Sequence, residues 1–257
     1  MVRVGQEAAR AGARGAVRRT LRLNLRLIEV AVRRAIKPGM PATPSDHSIY
    51  LAGELFSAKH LAGNAALAEH ITSISGGRFR CVLPQDLPQS GSTHAIRDQD
   101  LTALLACDAA LFHYDGLELD SGTVVEYLFA KFADLPAVLL RSDFRHAGDQ
   151  KEGDPWNLMN SFYPRTATVW LNSMEVYHEG IRASLTPAAA ADAVVRTVAV
   201  RLCAALEEVL ALPPILPPEL GTAVYDWLAL MPGFANLPAA REIATRLYRE
   251  KVAKGLL

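Results

Sequence analysis

The run from Asp120 to Glu126, Asp-Ser-Gly-Thr-Val-Val-Glu, places two carboxylates around a glycine within two helical turns. It follows the apolar stretch Ala109–Tyr114, which predicts a strand. It leads into apolar residues at the i, i+3, i+4, i+7 spacing of a buried helical face, namely Val125, Leu128, Phe129 and Phe132. We therefore predict a strand, a turn and a helix capped by Asp120 or Ser121. The run is typical of a sugar-binding turn that carries a carboxylate nucleophile.

The predicted position of Glu126 leaves room for a small ligand. Gly122 lies one turn earlier on the same helical face, and helical side chains lean toward the N-terminus. The carboxylate of Glu126 is therefore expected to project over the space that Gly122 leaves empty. Because Val125 is expected to face the core, Glu126 is expected at the edge of the buried stripe. An ordinary capped helix with an exposed glutamate is the alternative.

A second carboxylate, Asp100, falls on an apolar stripe between Ile96 and Leu104. Desolvation of an acid that faces the core raises its pKa and makes it a better proton donor, as in glycosidases where one carboxyl stays protonated and another ionised. The alternative is an aspartate that stabilises the start of its helix or pairs with Arg97. Asp100 is thus a candidate general acid.

Tyr50 is a candidate partner for the nucleophile. In the predicted strand Ser48–Gly53, Ile49 and Leu51 point to one face and Tyr50 to the other. A hydroxyl that donates to Glu126 would keep that carboxylate ionised and oriented, as a nucleophile requires. Packing beneath a helix is the alternative role for this tyrosine.

Alternating strand and helix signals predict an α/β fold with a five-stranded, doubly wound parallel sheet of the flavodoxin-like type. The predicted strands are Ser48–Gly53, Phe79–Leu83, Ala109–Tyr114, Ala137–Arg141 and Ala167–Leu171. The predicted helices are approximately Ala58–Ile74, Ala95–Cys107, Gly122–Ala133 and Pro187–Leu210. Such sheets bind ligands at the carboxyl ends of strands near the point where strand order reverses. The expected walls of the site are Tyr50–Gly53 and Asp120.

Two extensions flank the α/β domain, which we assign to residues 47–211. Residues 1–46 form a basic extension and linker, with ten basic and two acidic residues in 1–37, a local net charge of +8. A predicted amphipathic helix there could act as an organellar transit sequence, bind a membrane surface or another macromolecule, or pack on the protein itself. Residues 212–257 predict two accessory helices, about Thr222–Leu230 and Pro238–Lys254, as a cap or oligomer contact.

Composition narrows the functional class. Lys plus Arg and Asp plus Glu are both 27, which gives no bulk signal for nucleic-acid binding. The three cysteines are odd in number and widely spaced, and the seven histidines show no ligand spacing, so neither a disulfide framework nor a metal site is predicted. No apolar stretch approaches a bilayer span. A cytoplasmic protein without cofactor is expected, with organellar targeting by residues 1–37 left open.

Six short segments occur in the order and approximate spacing of one enzyme family. They are Ser48-Ile49-Tyr50-Leu51-Ala52-Gly53, Ile96-Arg97 with Gln99-Asp100-Leu101, Cys107-Asp108-Ala109, Asp120-Ser121-Gly122-Thr123 with Glu126, Arg141-Ser142-Asp143, and Asn157-Leu158-Met159. Over about residues 47–180 the chain resembles the nucleoside 2-deoxyribosyltransferases, which exchange the base of a 2′-deoxynucleoside.

The resemblance implies a role for each matching residue. Glu126 would attack the anomeric carbon and form a covalent deoxyribosyl-enzyme, and Tyr50 would orient it. Asp100 would protonate the departing base. Asp120 would accept a hydrogen bond from the sugar 5′-hydroxyl, and Asn157 would reach the site from a neighbouring subunit of a homo-oligomer. Substrate binding is also expected at Gly53, Phe56 and Gly122.

Several alternatives stay open at this stage. A carboxylate at Asp120 repels a phosphate, so a free nucleoside is favoured over a nucleotide. The turn Gly122-Thr123 with Glu126 is also similar to that of the cytokinin-activating phosphoribohydrolases, although the preceding glycine pair of that family is absent. Hydrolysis instead of transfer, or a catalytically idle nucleoside-binding protein, are further alternatives. Deoxyribose versus ribose and purine versus pyrimidine are not decided by the sequence.

Overall fold

A five-stranded, all-parallel sheet forms the centre of the protein. The computed structural model describes residues 46–88, 91–146, 148–149, 152–183 and 186–257. The strands are β1 (His47–Ala52), β2 (Phe79–Val82), β3 (Ala109–His113), β4 (Ala137–Arg141) and β5 (Thr166–Trp170). Their order is β2-β1-β3-β4-β5. The predicted flavodoxin-like α/β class is confirmed, and each strand begins and ends within one residue of its predicted position.

Helices cover both faces of the sheet. They are α1 (Ala58–Ile74), α2 (Thr93–Ala106), α3 (Ser121–Phe132), α4 (Ser173–Arg182), α5 (Pro187–Ala211), α6 (Pro218–Leu230) and α7 (Leu237–Ala253). Helix α4, which fully buries only Gly180, was not predicted from the sequence. Helix α6 begins earlier than expected because Pro218 fits the first helical position. The predicted basic helix within residues 1–37 lies outside the described residues.

Side-chain alternation in β1 divides the core into two layers. Ile49 and Leu51 pack with α1 and α5, whereas Tyr50 packs on the opposite face with α2, α3 and the C-terminal helices. This is the two-sided pattern that a buried parallel strand requires. Within the described ranges, no helix combines the length and apolarity needed to cross a bilayer.

The buried face of α3 differs from the predicted one. Val125 and Phe132 are 59% and 57% exposed, and the face toward the sheet carries Thr123, Tyr127 and Ala130. The cause is Tyr127, whose ring packs edge-on against Phe112 with centroids 5.2 Å apart. Because α3 is apolar on nearly every side, its periodicity fits two stripes equally well. Glu126 still lies at the boundary, between exposed Val125 and buried Tyr127.

The C-terminal helices pack against the same layer as α2 and α3. The hydroxyl of Tyr225 donates to the carbonyl of Ala133 at 3.1 Å, at the end of α3. Buried Asp134 accepts hydrogen bonds from the amides of Ile215 and Leu216 at 2.7 and 2.8 Å. Residues 212–257 are therefore continuous with the core of the α/β domain on this face.

Lys251 of α7 is a buried cation that donates a hydrogen bond to the C-terminal end of α2. The side chain is 4% exposed, and its ammonium donates to the carbonyl of Cys107, the C-cap residue of α2. Desolvation lowers the pKa of Lys251 to about 8, while the negative charge of Asp108 opposes that shift. A cation at a helix C-terminus also interacts favourably with the helix dipole. Lys251 thus satisfies a carbonyl that no water would reach.

Replacing Lys251 tests this contact. We expect Lys251→Met to lower the free energy of unfolding by about 2 kcal/mol, because a buried carbonyl then lacks a donor. Chemical denaturation of both proteins measures the difference. Lys254→Met is the matched control: that side chain is about half exposed and bonds Asp108 at 2.7 Å, so a loss below about 1 kcal/mol is expected. Equal effects of the two substitutions would contradict the assignment.

Candidate active site

A hydrogen bond joins the predicted nucleophile to the strand beside it. Tyr50, near the carboxyl end of β1, donates from its hydroxyl to Oε1 of Glu126 at 2.7 Å. Tyr50 is completely buried, and Glu126 lies in the second turn of α3. No described residue hydrogen-bonds to Oε2 of Glu126. The tyrosine therefore fixes one carboxylate oxygen and leaves the other available.

Asp100 lies in the same electrostatic environment. Its negative charge raises the pKa values of both Glu126 and Tyr50, so the three side chains are close together. Oδ1 of Asp100 is buried and has no hydrogen-bond partner among the described residues. The structure thus brings together Tyr50, Asp100 and Glu126, which are separated by up to 76 positions in the sequence.

Burial raises the pKa of both carboxyl groups. Desolvation is the largest cause at Glu126, whose pKa rises to about 7; the Tyr50 hydrogen bond opposes the shift, and the charges of Asp100 and Asp120 add to it. Desolvation alone raises the pKa of Asp100 to about 6. The pKa of Tyr50 is raised well above 10, mainly by burial. Tyr50 therefore stays a neutral donor at physiological pH.

Burial of Glu126 differs from what the sequence suggested. Glu126 was expected to stay ionised and Asp100 to have the raised pKa, yet desolvation raises the pKa of both carboxyl groups. Because their charges interact, the two groups titrate as a coupled pair. The Tyr50 donor favours negative charge on Glu126, whereas no described residue donates a hydrogen bond to the buried Oδ1 of Asp100.

Asp120 caps α3 and borders the space above Gly122. Its Oδ2 accepts from the amide and the hydroxyl of Thr123 at 2.7 and 2.9 Å, which confirms Asp120 as the N-cap. A Cβ at Gly122 would lie 3.1 Å from the same oxygen. Among the described residues, none bonds to Oδ1 of Asp120. One oxygen thus builds the helix end, and the other is available to a ligand.

The loop after β1 lies tightly against the end of β3. A Cβ at Gly53 would lie 2.9 Å from Cβ of His113, so a larger residue there would push the two strand ends apart. Phe56, in the same loop, is 77% exposed. His113 was not identified as a site residue from the sequence, although its position near the carboxyl end of the predicted strand Ala109–Tyr114 was a usable signal. Nε2 of His113 lies 2.8 Å from Oδ2 of Asp115.

Asn157 is not brought to the carboxyl pair within this chain. Its side chain caps a short 3-10 turn (Leu158–Asn160) by accepting from the amide of Met159 at 3.0 Å, and its amide group donates to Asp149 at 3.3 Å. Asn157 is exposed, and so are its neighbours Leu158 and Met159. Its predicted contact with the sugar therefore requires another subunit or a rearrangement.

A cavity of about 260 Å³ lies on the opposite face of the sheet, between α1 and α5. Its lining includes His60, Asn64, His113 and Val198 but neither Glu126 nor Asp100. The face of α3 before Glu126 is open, since Ser121 and Gly122 are exposed. In the described ranges, no group of three or more His, Cys, Asp or Glu side chains is arranged to hold a metal ion.

The fold and the site together define a flavodoxin-like sheet that carries a pair of carboxyl groups, those of Glu126 and Asp100. Residues 49–159 match the family model of nucleoside 2-deoxyribosyltransferases. The match covers the segment that carries Tyr50, Asp100, Asp120 and Glu126, and it confirms the resemblance found in the sequence. Residues 49–159 are therefore similar to nucleoside 2-deoxyribosyltransferases.

Two solved structures are similar to part of the chain. A conserved protein from Enterococcus faecalis V583 shares 25% identity at a TM-score of 0.42, over 55% of this chain and 99% of that chain. A 2-desoxiribosyltransferase from Leishmania mexicana shares 20% identity at a TM-score of 0.39, over 54% of this chain and 99% of that chain. Curated protein sequences gave no significant match.

Titration of Glu126 tests the electrostatics of the site. With ¹³C-labelled glutamate, the carboxyl signal lost in Glu126→Gln is expected to titrate at about 7 in the wild type. Tyr50→Phe is expected to raise this pKa further, because it removes the donor that stabilises the carboxylate. Tyr127→Phe, whose hydroxyl lies near Thr166 instead, is the matched control and should leave the titration unchanged. A Glu126 signal titrating near 4.5 would refute the burial argument.

Proposed function

We propose that this protein transfers a 2-deoxyribosyl group between nucleobases through a covalent intermediate on Glu126. The observation that carries the proposal is the 2.7 Å hydrogen bond from Tyr50 to Glu126, together with the buried Oδ1 of Asp100, which has no hydrogen-bond partner in the described part of the chain. An oriented carboxylate next to a protonatable carboxyl group is the arrangement that retaining glycosyl transfer needs. The family match over residues 49–159 supports the same chemistry.

In the first half-reaction, Oε2 of Glu126 attacks the anomeric carbon of the bound nucleoside. The bond from this carbon to the base nitrogen breaks, and its electron pair leaves with the base. The proton on Asp100 moves to the departing base, so that the base leaves as a neutral molecule. Positive charge that develops on the sugar is stabilised by the carboxylate beneath it. The starting state therefore needs Asp100 to be protonated and Glu126 to be negatively charged.

The second half-reaction reverses these steps with another base. Asp100, now ionised, removes a proton from the incoming base, and the freed nitrogen attacks the anomeric carbon. The bond between that carbon and Glu126 breaks, which restores the carboxylate. Two inversions give retention overall. Tyr50 stays hydrogen-bonded to Oε1 throughout and keeps the reacting oxygen aligned.

Asp120 is proposed to select a free nucleoside. Its Oδ2 is occupied by Thr123, which leaves Oδ1 to accept a hydrogen bond from the sugar 5′-hydroxyl. A phosphate in the same place would meet the negative charges of Asp120 and Glu126 at close range. Gly122 keeps the approach to this oxygen clear, and Gly53 and Phe56 are proposed to bound the base.

A homo-oligomer is proposed to complete the site. The segment that carries Asn157 exposes Met159 and Phe162 at 70% and 88%, and α3 exposes Val125 at 59%. Large exposed apolar side chains on both segments suit an interface between identical chains. Asn157 of one chain would then approach the sugar bound above Glu126 of its neighbour.

Base exchange is the direct test of the proposed activity. Incubation with deoxyinosine and adenine is expected to yield deoxyadenosine and hypoxanthine, separated by chromatography. Glu126→Ala is expected to lower the rate about a thousandfold or more, because no covalent intermediate forms. Glu118→Ala, which changes an exposed glutamate in the loop before α3, is the control and should retain activity.

Other products would decide against transfer. Hypoxanthine without deoxyadenosine would make the protein a hydrolase, and the absence of any product would favour a nucleoside-binding protein without activity. Near-normal turnover of Glu126→Ala would refute the nucleophile assignment.

Mixed oligomers test the placement of Asn157. Glu126→Ala and Asn157→Ala are each expected to be weakly active alone. After subunit exchange, a mixed dimer has one site with both an intact Glu126 and an intact Asn157, so about a quarter of wild-type activity should return. No recovery despite exchange, which native mass spectrometry measures, would place Asn157 in its own chain's site or outside any site.

A further inference from the structure

Polar contacts join the connection between α6 and α7 to the first turns of α2. The carbonyl of Gly233 accepts hydrogen bonds from the ring of His94 at 2.8 Å and from the guanidinium of Arg97 at 3.0 Å. The amide of Ala235 donates to Oδ2 of Asp98 at 2.7 Å. We call this contact between Gly233–Ala235 and the start of α2 the C-terminal clasp. At the far end of α2, Lys251 holds the carbonyl of Cys107.

The half of α2 that the clasp holds has little hydrophobic anchoring of its own. None of the residues from Thr93 to Asp100 is fully buried, whereas Leu101, Ala103, Leu104 and Leu105 in the second half are. Helix ends without buried apolar contacts open locally at low free-energy cost. The clasp therefore supplies the tertiary contacts that the first two turns otherwise lack.

The position of Asp100 depends on the backbone that carries it. The buried oxygen of its carboxyl group has no hydrogen-bond partner among the described residues, in contrast to Glu126, which Tyr50 holds. Asp98, two positions earlier, bears the clasp hydrogen bond. Displacement of a proton donor by about 1 Å is enough to slow proton transfer severely.

We propose that the C-terminal clasp is a positioning device for the general acid, with Asp98 as its central positioning residue. This inference rests on the proposed transferase function, and it assigns a catalytic purpose to residues 212–257, which lie outside the segment matched by the family. The clasp holds the first turns of α2 so that Asp100 stays within reach of the leaving base. Asp98 acts only through the helix backbone and does not touch the substrate.

Two substrates with different leaving groups distinguish a displaced general acid from a general loss of structure. Deoxyinosine needs a proton on its departing base, whereas 7-methyl-2′-deoxyinosine carries a cationic base that leaves neutral without one. We expect Asp98→Ala to lower kcat for deoxyinosine about tenfold or more. With 7-methyl-2′-deoxyinosine, kcat should stay within about twofold of the wild type, since general acid catalysis is then unnecessary. Asp98→Asn, which keeps an acceptor oxygen, should restore most of the deoxyinosine rate.

Asp226→Ala is the matched control within the same helical pair. Asp226 bonds Arg241 between α6 and α7 and has no hydrogen bond to α2 among the described residues, so both substrates should react at wild-type rates. A second variant, His94→Ala combined with Arg97→Ala, removes two exposed donors to Gly233 and should reproduce the selective loss without threatening the fold. Equal losses with both substrates, or no loss in either clasp variant, would overturn the proposal.

Amide hydrogen exchange gives a readout that does not depend on turnover. Protection of α2 from Thr93 to Asp100 is expected to fall in Asp98→Ala and to stay unchanged in Asp226→Ala. Unchanged exchange in Asp98→Ala would overturn the clasp itself. Failure of the wild type to release base from either substrate would instead overturn the proposed transferase function and, with it, the catalytic purpose of the clasp.

Discussion

The hydrogen bond between Tyr50 and Glu126 constrains much of the surrounding architecture. It requires the side chain of Tyr50 in β1 to point toward the layer of α2 and α3. It also requires α3 to begin directly after its N-cap Asp120, so that Glu126 lies above the end of the strand. A buried carboxylate with one strong donor costs less than an unpaired one, yet burial still raises its pKa to about 7. In the proposed reaction, protonation of Asp100 leaves the negative charge on Glu126 for attack on the sugar.

Local chemistry made the strands of the sheet, the face on which Tyr50 lies and the start of α3 predictable. Short apolar runs bounded by glycine and polar residues gave the strand positions, and strict alternation in β1 separated Tyr50 from Ile49 and Leu51. Residue type predicted an N-cap at Asp120 or Ser121, and in the structure Asp120 accepts from the amide three residues later. These features depend on neighbours within a few positions, which a single sequence contains.

Features that depend on contacts between distant residues could not be predicted from the sequence in this way. The buried face of α3 depends on how Tyr127 meets Phe112, and an almost uniformly apolar helix does not reveal which side that contact selects. The links of Asp98 to Ala235 and of Lys251 to Cys107 span more than 130 positions and leave no periodic signature. The raised pKa of Glu126 likewise reflects its burial, which residue type does not encode.

A row of aromatic rings runs from the residue after Glu126 toward the segment that carries Asn157. Tyr127 meets Tyr114 at 5.8 Å, and Tyr114 meets Trp156 edge-on at 5.2 Å. Trp156 is 2% exposed, whereas the other two tryptophans of the chain are 42% and 62% exposed. Trp156 also stacks on Trp170, with ring centroids 5.5 Å apart and an interplanar angle of 17°. The fluorescence of this indole pair therefore reports on the conformation of the segment next to Asn157.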